Sequence, residues 1–277
     1  MANTIIAGVD VETTGLDSKA QVVEVAYYII DAQENSLLAS GSDIFEPDTW
    51  DQNAQDACDN AHKISHRMTK INGLKAENYD LFAKVSAYKP TVIVAHNAKF
   101  DHRFFSKHWK GFCSIPWLCT MDDLDHSFFI KTSSKKLSYL ALDYGFKFNV
   151  EDLHRAYTDA MLSAKIAALH AKHGLLEKAL KQKQDDLHYL KNKLIKKAII
   201  RRGDVLPRST IKEYEAVGFR WDPENRYYHK AIEASKVDEF ISWCSTSLHP
   251  SWIPNSKIED LNLDFEFCSD VCKMKKC

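Results

Sequence analysis

At 277 residues, with 45% hydrophobic and 27% charged residues, the chain has room for one core of roughly 150–200 residues plus a smaller module, and its composition excludes a disordered or collagenous protein. The formal net charge of -1 argues neither for nor against nucleic acid, since an acidic centre can cancel a basic rim. No apolar run reaches membrane-spanning length and no basic segment precedes Ile5, so neither a membrane span nor a secretory signal is expected. Seven scattered cysteines, an odd number, fit a reducing, cytoplasmic compartment.

Thr4 to Val11 reads as a β-branched strand in which Gly8 allows close backbone approach, followed by strands at Val22 to Ile30 and Ser36 to Phe45 with a turn at Asp31 to Asn35. Glu77 to Tyr88 carries a helical apolar stripe that Pro90 ends. Thr91 to Ala95 is short and almost wholly apolar, as in a central strand covered on both faces. Asn97 to Trp109, Thr120 to Phe129, Ser138 to Tyr144 and the long Arg155 to His173, stopped by Gly174, read as helices. The expected class is α/β, a mixed β-sheet flanked by helices over residues 1–175, plus a small α+β C-terminal module.

Residues 176–206 read as a basic helical linker. Within it, 177–202 holds nine Lys or Arg against three acids, a net of +6. Such a run is either a solvated helix face or a phosphate-tracking surface; Lys191, Lys193, Lys196, Lys197, Arg201 and Arg202 are the candidate contacts. Residues 207–253 read as strand, tight turn, strand and helix. Arg220, Trp221 and Arg226 there suit base stacking and phosphate contact as well as they suit a small core. Residues 254–277 form a tail whose Cys268, Cys272 and Cys277 lack a convincing fourth ligand for zinc.

The chemistry is concentrated in three acidic stations. Asp10 and Glu12, two apart on a strand, leave the same face, and Thr13-Thr14-Gly15 is a sharp exit that holds them at the sheet's edge. Asp101 lies one turn into a helix for which Asn97 is the expected cap. Asp159 starts the long helix, where Ala156 and Ala160 permit close approach to the sheet. Carboxylates crowded around one cleft cost on the order of several kcal/mol unless something positive lies between them. Hard oxygen donors favour Mg²⁺ or Mn²⁺, and a pair of such ions clamps the attacking and leaving oxygens of a phosphodiester. His154, five residues before Asp159, has the right chemistry for a neutral base. The plainer readings are a frayed strand end, an N-terminal helix acid and a structural histidine; His96, at a strand end, reads as structural.

Asp10/Glu12, Asp101 and His154/Asp159, with the third station intact as His154-Arg155-Ala156-Tyr157-Thr158-Asp159, resemble the DEDD superfamily of 3'-to-5' exonucleases in its DEDDh subgroup. Within it the likeness is greatest to the bacterial exodeoxyribonuclease X family, through Val22 to Ala26, Ala61 to Ser65, Val94 to Asp101 and Trp117 to Met121. The epsilon proofreading subunit of bacterial DNA polymerase III and oligoribonuclease-like enzymes stand further off. The resemblance spans residues 4–173 and implies a ribonuclease H-like fold. It also implies hydrolysis of the terminal 3' phosphodiester of DNA to nucleoside 5'-monophosphates, with Asp10, Glu12, Asp101 and Asp159 holding two Mg²⁺ or Mn²⁺ and His154 activating water. Thr13, Thr14 and Gly15 would meet the terminal nucleotide, and His62, Ile64, Asn97 and Phe100 would line its pocket. Leu16 is either a core leucine in a loop or a wedge beside the last base. The implied partner is nucleic acid with a free 3' end, DNA before RNA; a homodimer or a DNA-replication or repair partner is compatible with it. The alternatives are a 3'-to-5' exoribonuclease and a catalytically silent nucleic-acid-binding or polymerase-associated module. Gly218 to Tyr228 weakly resembles a small bacterial module found beside DNA-handling domains.

Overall fold

The computed structural model describes residues 4–17, 19–132, 134–193, 196–201, 212, 215, 216, 218–222, 227–247 and 256–260. β1 (Ile5–Thr13) is buried from Ile6 to Val9, as its apolar run requires of a middle strand, and the sheet order β3-β2-β1-β4-β5 places it there. β2 (Val22–Asp31) and β3 (Ser36–Ile44) continue the sheet antiparallel on one side. β4 (Val92–Ala95) and β5 (Trp117–Cys119) continue it parallel on the other. The β2–β3 turn closes because Asp31 Oδ1 accepts the Gln33 and Glu34 N–H groups at 2.9 and 3.1 Å, and Asn35 takes the left-handed φ of 53°.

Strand alternation sorts the side chains into two layers. Ile6, Gly8, Asp10 and Glu12 of β1 share a face with Glu24, Ala26, Tyr28 and Ile30 of β2, and α6 (Ala156–Lys172) covers that face. Alanines at 156, 160, 164, 167, 168 and 171 make the helix thin where it is buried. At Gly8 the approach is closest. A Cβ built there would lie 2.2 Å from the Ala160 carbonyl oxygen and 2.8 Å from Ala164 Cβ. On the opposite layer α4 (Ala98–His108) brings Phe105 against Phe112 and Trp117, ring centroids 4.8 and 5.3 Å apart. The chain between β3 and β4 folds as α1 (Gln52–Ala57), a π turn at Cys58–His62, α2 (His66–Asn72) and α3 (Leu81–Ser86).

A buried polar chain joins α5 (Leu137–Asp143) and its following turn to α6. His126 Nε2 lies 2.7 Å from the Thr120 carbonyl and therefore carries the proton. Tyr144 OH then donates to His126 Nδ1 (2.7 Å) and accepts from His170 Nε2–H (2.9 Å). Burial lowers the pKa of both imidazoles, that of His170 to about 4.

The chain divides into two compact units, Met1–Lys181 and Gln182–Cys277. α7 (Leu175–Lys193) begins directly after Gly174, whose φ of 70° ends α6. The second unit contains an antiparallel sheet of order β7-β8-β6-β9, formed by β6 (Lys196–Arg201), β7 (Arg220–Asp222), β8 (Tyr227–Ile232) and β9 (Ser256–Asp260), with α8 (Val237–Ser247). Phe219 is buried against Phe240, ring centroids 5.9 Å apart. Among the described residues no helix is long and apolar enough to cross a membrane.

Four elements differ from the sequence reading. Thr120 to Phe129 is turns and one 3₁₀ turn at His126–Phe128, because Asp123 Oδ2 binds the Cys119 N–H (2.7 Å) and Asp125 caps Ser127, side-chain bonds that compete with a helix. β5, three residues long, is too short for periodicity to reveal. In the 77–88 stretch α-helix is confined to Leu81–Ser86, started by Asp80 accepting the Ala83 N–H, after a separate 3₁₀ turn at Ala76–Asn78. The basic linker is helical only to Lys193; Lys196–Arg201, with Ile199 and Ile200 at its centre, is a strand paired on both sides.

Gly8→Ala should destabilise the protein by about 1–3 kcal/mol, because the added methyl meets a backbone carbonyl that cannot swing aside. Gly15→Ala, whose Cβ would meet only Asn53 Cβ at 3.8 Å, should change stability by less than about 0.5 kcal/mol. Urea unfolding midpoints of the two variants compare them directly.

Candidate active site

The end of β1 and the first turn of α6 meet because Gly8 and Ala160 are in contact one strand-repeat below. Asp10, Glu12 and Asp159 consequently present carboxylate oxygens that all lie within 4.8 Å of one another. Asp101 stands beside this group rather than in it. It is 2% exposed, and its Oδ1 accepts the Val11 N–H at 3.0 Å, at a height on β1 that β4 no longer reaches. Of the four acids expected to act together, the fold gathers three and ties the fourth to the backbone between Asp10 and Glu12.

The electrostatics oppose this arrangement in the absence of a cation. Burial, followed by the neighbouring carboxylates, pushes Asp10 and Glu12 well above the ordinary range. Burial pushes Asp101 up to about 8 against the pull of the Val11 N–H. It pushes Asp159 up to about 7, with Glu24 adding to it and the His154 main-chain N–H opposing. Asp159 Oδ1 is enclosed with no hydrogen-bond partner, an orphaned acceptor of the kind that native folds rarely leave. A donor set made only of carboxylate oxygens, one of them unpartnered, fits a hard divalent cation such as Mg²⁺ or Mn²⁺.

His154 lies in the turn leading into α6, exposed and with a left-handed φ of 61°, a conformation that costs a non-glycine residue on the order of 1 kcal/mol and collects at functional sites. His96, read as structural, bonds Thr120 Oγ1 at 2.9 Å, and burial lowers its pKa to about 4.

Glu12 also lines a cleft of about 830 Å³, together with Thr13, Thr14, Gly15, Leu16, His62 and Phe100. Six of the eight expected substrate residues therefore share one wall system. Ile64 does not: it is fully buried, and its N–H donates to His62 Nδ1 at 3.0 Å, which leaves the proton on Nε2. Asn97 does not either. It is exposed, takes φ 64° at the start of α4 and makes no side-chain cap bond, so the expected cap is absent. Leu16 is 80% exposed, which removes the core reading. Its carbonyl accepts from Arg103 Nη2 at 3.2 Å, and the Arg103 guanidinium lies over Phe104 and Phe100 at 4.7 and 5.2 Å from the ring centroids.

The sequence reading missed the facing wall of the cleft, where Asp51, Asn53 and Asp56 sit. It also missed Glu24 and Arg155. Glu24 is completely buried and takes both the Nε and Nη2 of Arg155, at 3.1 and 2.9 Å. A single acid inside Val22-Val23-Glu24-Val25-Ala26 was the available signal. Among the candidate nucleic-acid contacts, Arg220 is exposed and Trp221, 36% exposed, packs on Tyr228 with centroids 4.9 Å apart. Lys191 and Lys193 fall in α7, and Lys196, Lys197 and Arg201 in β6. Arg202, Arg226, Cys268, Cys272 and Cys277 lie outside the described residues.

The sequence model of the exonuclease family of RNase T type matches residues 8–167, which contain all five residues of the three stations. The chain belongs to this exonuclease family. Its first unit is thus a DEDDh-type nuclease domain, a ribonuclease H-like mixed sheet flanked by helices. The chain is similar in fold to Escherichia coli exonuclease I in complex with a dT13 oligonucleotide (13% identity, 98% of this chain and 68% of that one, TM-score 0.55). It is similar also to the zinc-bound form of the E. coli exonuclease I–ssDNA complex (14% identity, 99% and 70%, TM-score 0.57) and to the apo enzyme (13% identity, 99% and 70%, TM-score 0.54). No curated protein matches the chain in sequence. The family model establishes the family and the structural likenesses the fold; neither singles out exodeoxyribonuclease X.

For an exonuclease of this family the buried acids have a measurable consequence. Without a cation, Asp101 and Asp159 keep their protons in the fold at pH values where the unfolded chain, with an ordinary Asp value of 3.8, has lost them. The stability they contribute is complete below that value and is lost as pH rises through about 7 and about 8. The buried histidines, whose pKa values are lowered from 6.5, act only below that pH. Between pH 6.5 and 8.5 the metal-free protein should therefore lose about 1.4 kcal/mol per pH unit for each carboxyl still protonated, and saturating Mn²⁺ should flatten the slope. Thermal unfolding across this range tests it; a metal-free Tm that does not fall would count against it.

Proposed function

We propose that the protein is a divalent-metal-dependent 3'-to-5' exodeoxyribonuclease that hydrolyses the terminal phosphodiester of single-stranded DNA, or of the 3' ends of duplexes, to release nucleoside 5'-monophosphates. The observation that carries this reading is the convergence of Asp10, Glu12 and Asp159 within 4.8 Å, with an unpartnered Asp159 oxygen among them, in an exonuclease-family domain. DNA rather than RNA is favoured by the oligonucleotides held by the similar structures.

Asp10, Glu12 and Asp159 would hold the cations, with Asp101 completing the set from its place against Val11. Two Mg²⁺ or Mn²⁺ ions, when bound, neutralise these acids and supply charge stabilisation to the attacking and leaving oxygens. The exposed imidazole of His154 would take the proton of the attacking water as the bond from phosphorus to the 3' oxygen breaks; the leaving oxygen takes a proton from solvent, and His154 gives one back. Thr13, Thr14 and Gly15 receive the terminal nucleotide in the cleft; Leu16 and Phe100 offer apolar surface to its base, and the buried His62 backs the wall beside Thr13. The basic residues Lys191, Lys193, Lys196, Lys197, Arg201, Arg202, Arg220 and Arg226, with Trp221, extend the hold on longer strands through phosphate contact and stacking.

Purified protein with Mg²⁺, given 5'-labelled single-stranded DNA, duplex DNA and RNA in parallel, should shorten the DNA from its 3' end and release 5'-monophosphates. His154→Ala should slow turnover by about 10²–10⁴-fold, and Asp10→Asn or Asp159→Asn should abolish it without lowering metal-free stability. Wild-type-like turnover in any of these would remove the role given to that residue. Replacing Lys191, Lys193, Lys196 and Lys197 with Gln should weaken binding of long strands and make its salt dependence shallower by about 0.7 for each phosphate no longer neutralised, while dinucleotide cleavage persists.

A further inference from the structure

Glu24 is a carboxylate with no exposure at all, and the chemistry above leaves it unused. It stands on β2 directly opposite Glu12 in the strand register, on the face that α6 covers. Four donors converge on it: Ser42 Oγ from β3 at 2.6 Å, Arg155 Nε at 3.1 Å, Arg155 Nη2 at 2.9 Å, and the Ala156 N–H at the first position of α6 at 3.0 Å. A planar fork met by both carboxylate oxygens is the strongest and most directional form of ion pair. Stability alone is a poor reason for it, because a buried pair is frequently no better than well-packed apolar groups of the same volume.

The geometry gives a better reason. Ala156 is the first residue of α6, Asp159 follows one turn later, and His154 precedes it by two. The Ala160 contact with Gly8 sets how close the helix lies to β1. That contact leaves free the rotation of the helix about its own axis and the path of the turn before it. At the start of the helix Glu24 adds a directional constraint on both, gripping the first helical N–H with one oxygen and the Arg155 side chain with the pair. The carboxylate also complements the positive end of the helix.

We infer that Glu24 and Arg155 form a positioning pair that sets the rotation of α6, and with it the placement of Asp159 and His154 against Asp10 and Glu12, so that the pair governs the affinity of this cluster for a divalent cation. The inference rests on the reading of that cluster as a cation site. The pair would act through Ala156 and the turn before it, as positioning residues outside the cluster of Asp10, Glu12 and Asp159.

The test uses the full-length protein and Mn²⁺ alone as probe, followed by calorimetry or by loss of the free-ion electron paramagnetic signal. Glu24→Gln keeps the shape but cannot accept from all four donors. Mn²⁺ affinity should fall about 10–100-fold, the range expected when a group supporting metal ligands is removed. In turnover on a single-stranded oligonucleotide, kcat should fall in parallel while KM stays within about 3-fold, because the cleft walls are untouched. Arg155→Lys, at a side chain 35% exposed and therefore tolerant of change, keeps the charge but loses the fork, and should fall between the two. If both variants fold, bind Mn²⁺ and turn over like the wild type while melting at lower temperature, the pair serves stability only and the inference is overturned. If Glu24→Gln fails to fold, Arg155→Lys decides the matter by the same two measurements. If the wild-type protein itself takes up no Mn²⁺, the cation-site reading fails and the inference with it, an outcome distinct from equal binding by wild type and variants.

Discussion

The contact between Gly8 and Ala160 is the constraint on which the rest of this nuclease domain depends. A strand and a helix ordinarily pack with a layer of side chains between them; here glycine on one side and alanine on the other let main chain lie almost on main chain. One residue along α6 and two along β1, the same proximity brings Asp159 to Asp10. Helix position, strand position and cluster geometry are thus one quantity, and small residues set it.

That closeness works against the fold that creates it. Burial raises the proton affinity of all four carboxylates, and neighbouring carboxylates, Glu24 among them, raise it further. The protein offsets this with groups that touch the cluster only at its margins: the Val11 N–H on Asp101, the His154 main-chain N–H beside Asp159, and Arg155 held by Glu24. None of these places positive charge at the centre. The centre is left as a site whose own electrostatics favour a cation, which is how function and residual instability come to occupy the same few residues.

The cleft extends this logic from charge to shape. Leu16 remains exposed because Arg103, lying on Phe100 and Phe104, anchors its carbonyl from α4. His62 presents a defined tautomer because the Ile64 N–H occupies its other nitrogen. In both cases a neighbour with no place in the chemistry decides what a cleft residue can offer, at the exposed Leu16 as at the buried His62.

Strands β1 to β4, helices α4 to α6, the pairing of Asp10 with Glu12 on one face and the small residues at Gly8, Ala156 and Ala160 were legible in the chain, because alternation, apolar runs and spacing are local properties. Tertiary structure alone decided that Asp101 would spend an oxygen on Val11, that Ile64 and Asn97 would stay out of the cleft, that residues 196–201 would leave a charged helix to become the strand between β8 and β9, and that Glu24 would reach across to Arg155. Each of these is a hydrogen bond or strand pairing between segments distant in sequence, and its partner is chosen by where the backbone arrives after packing, which no local pattern encodes.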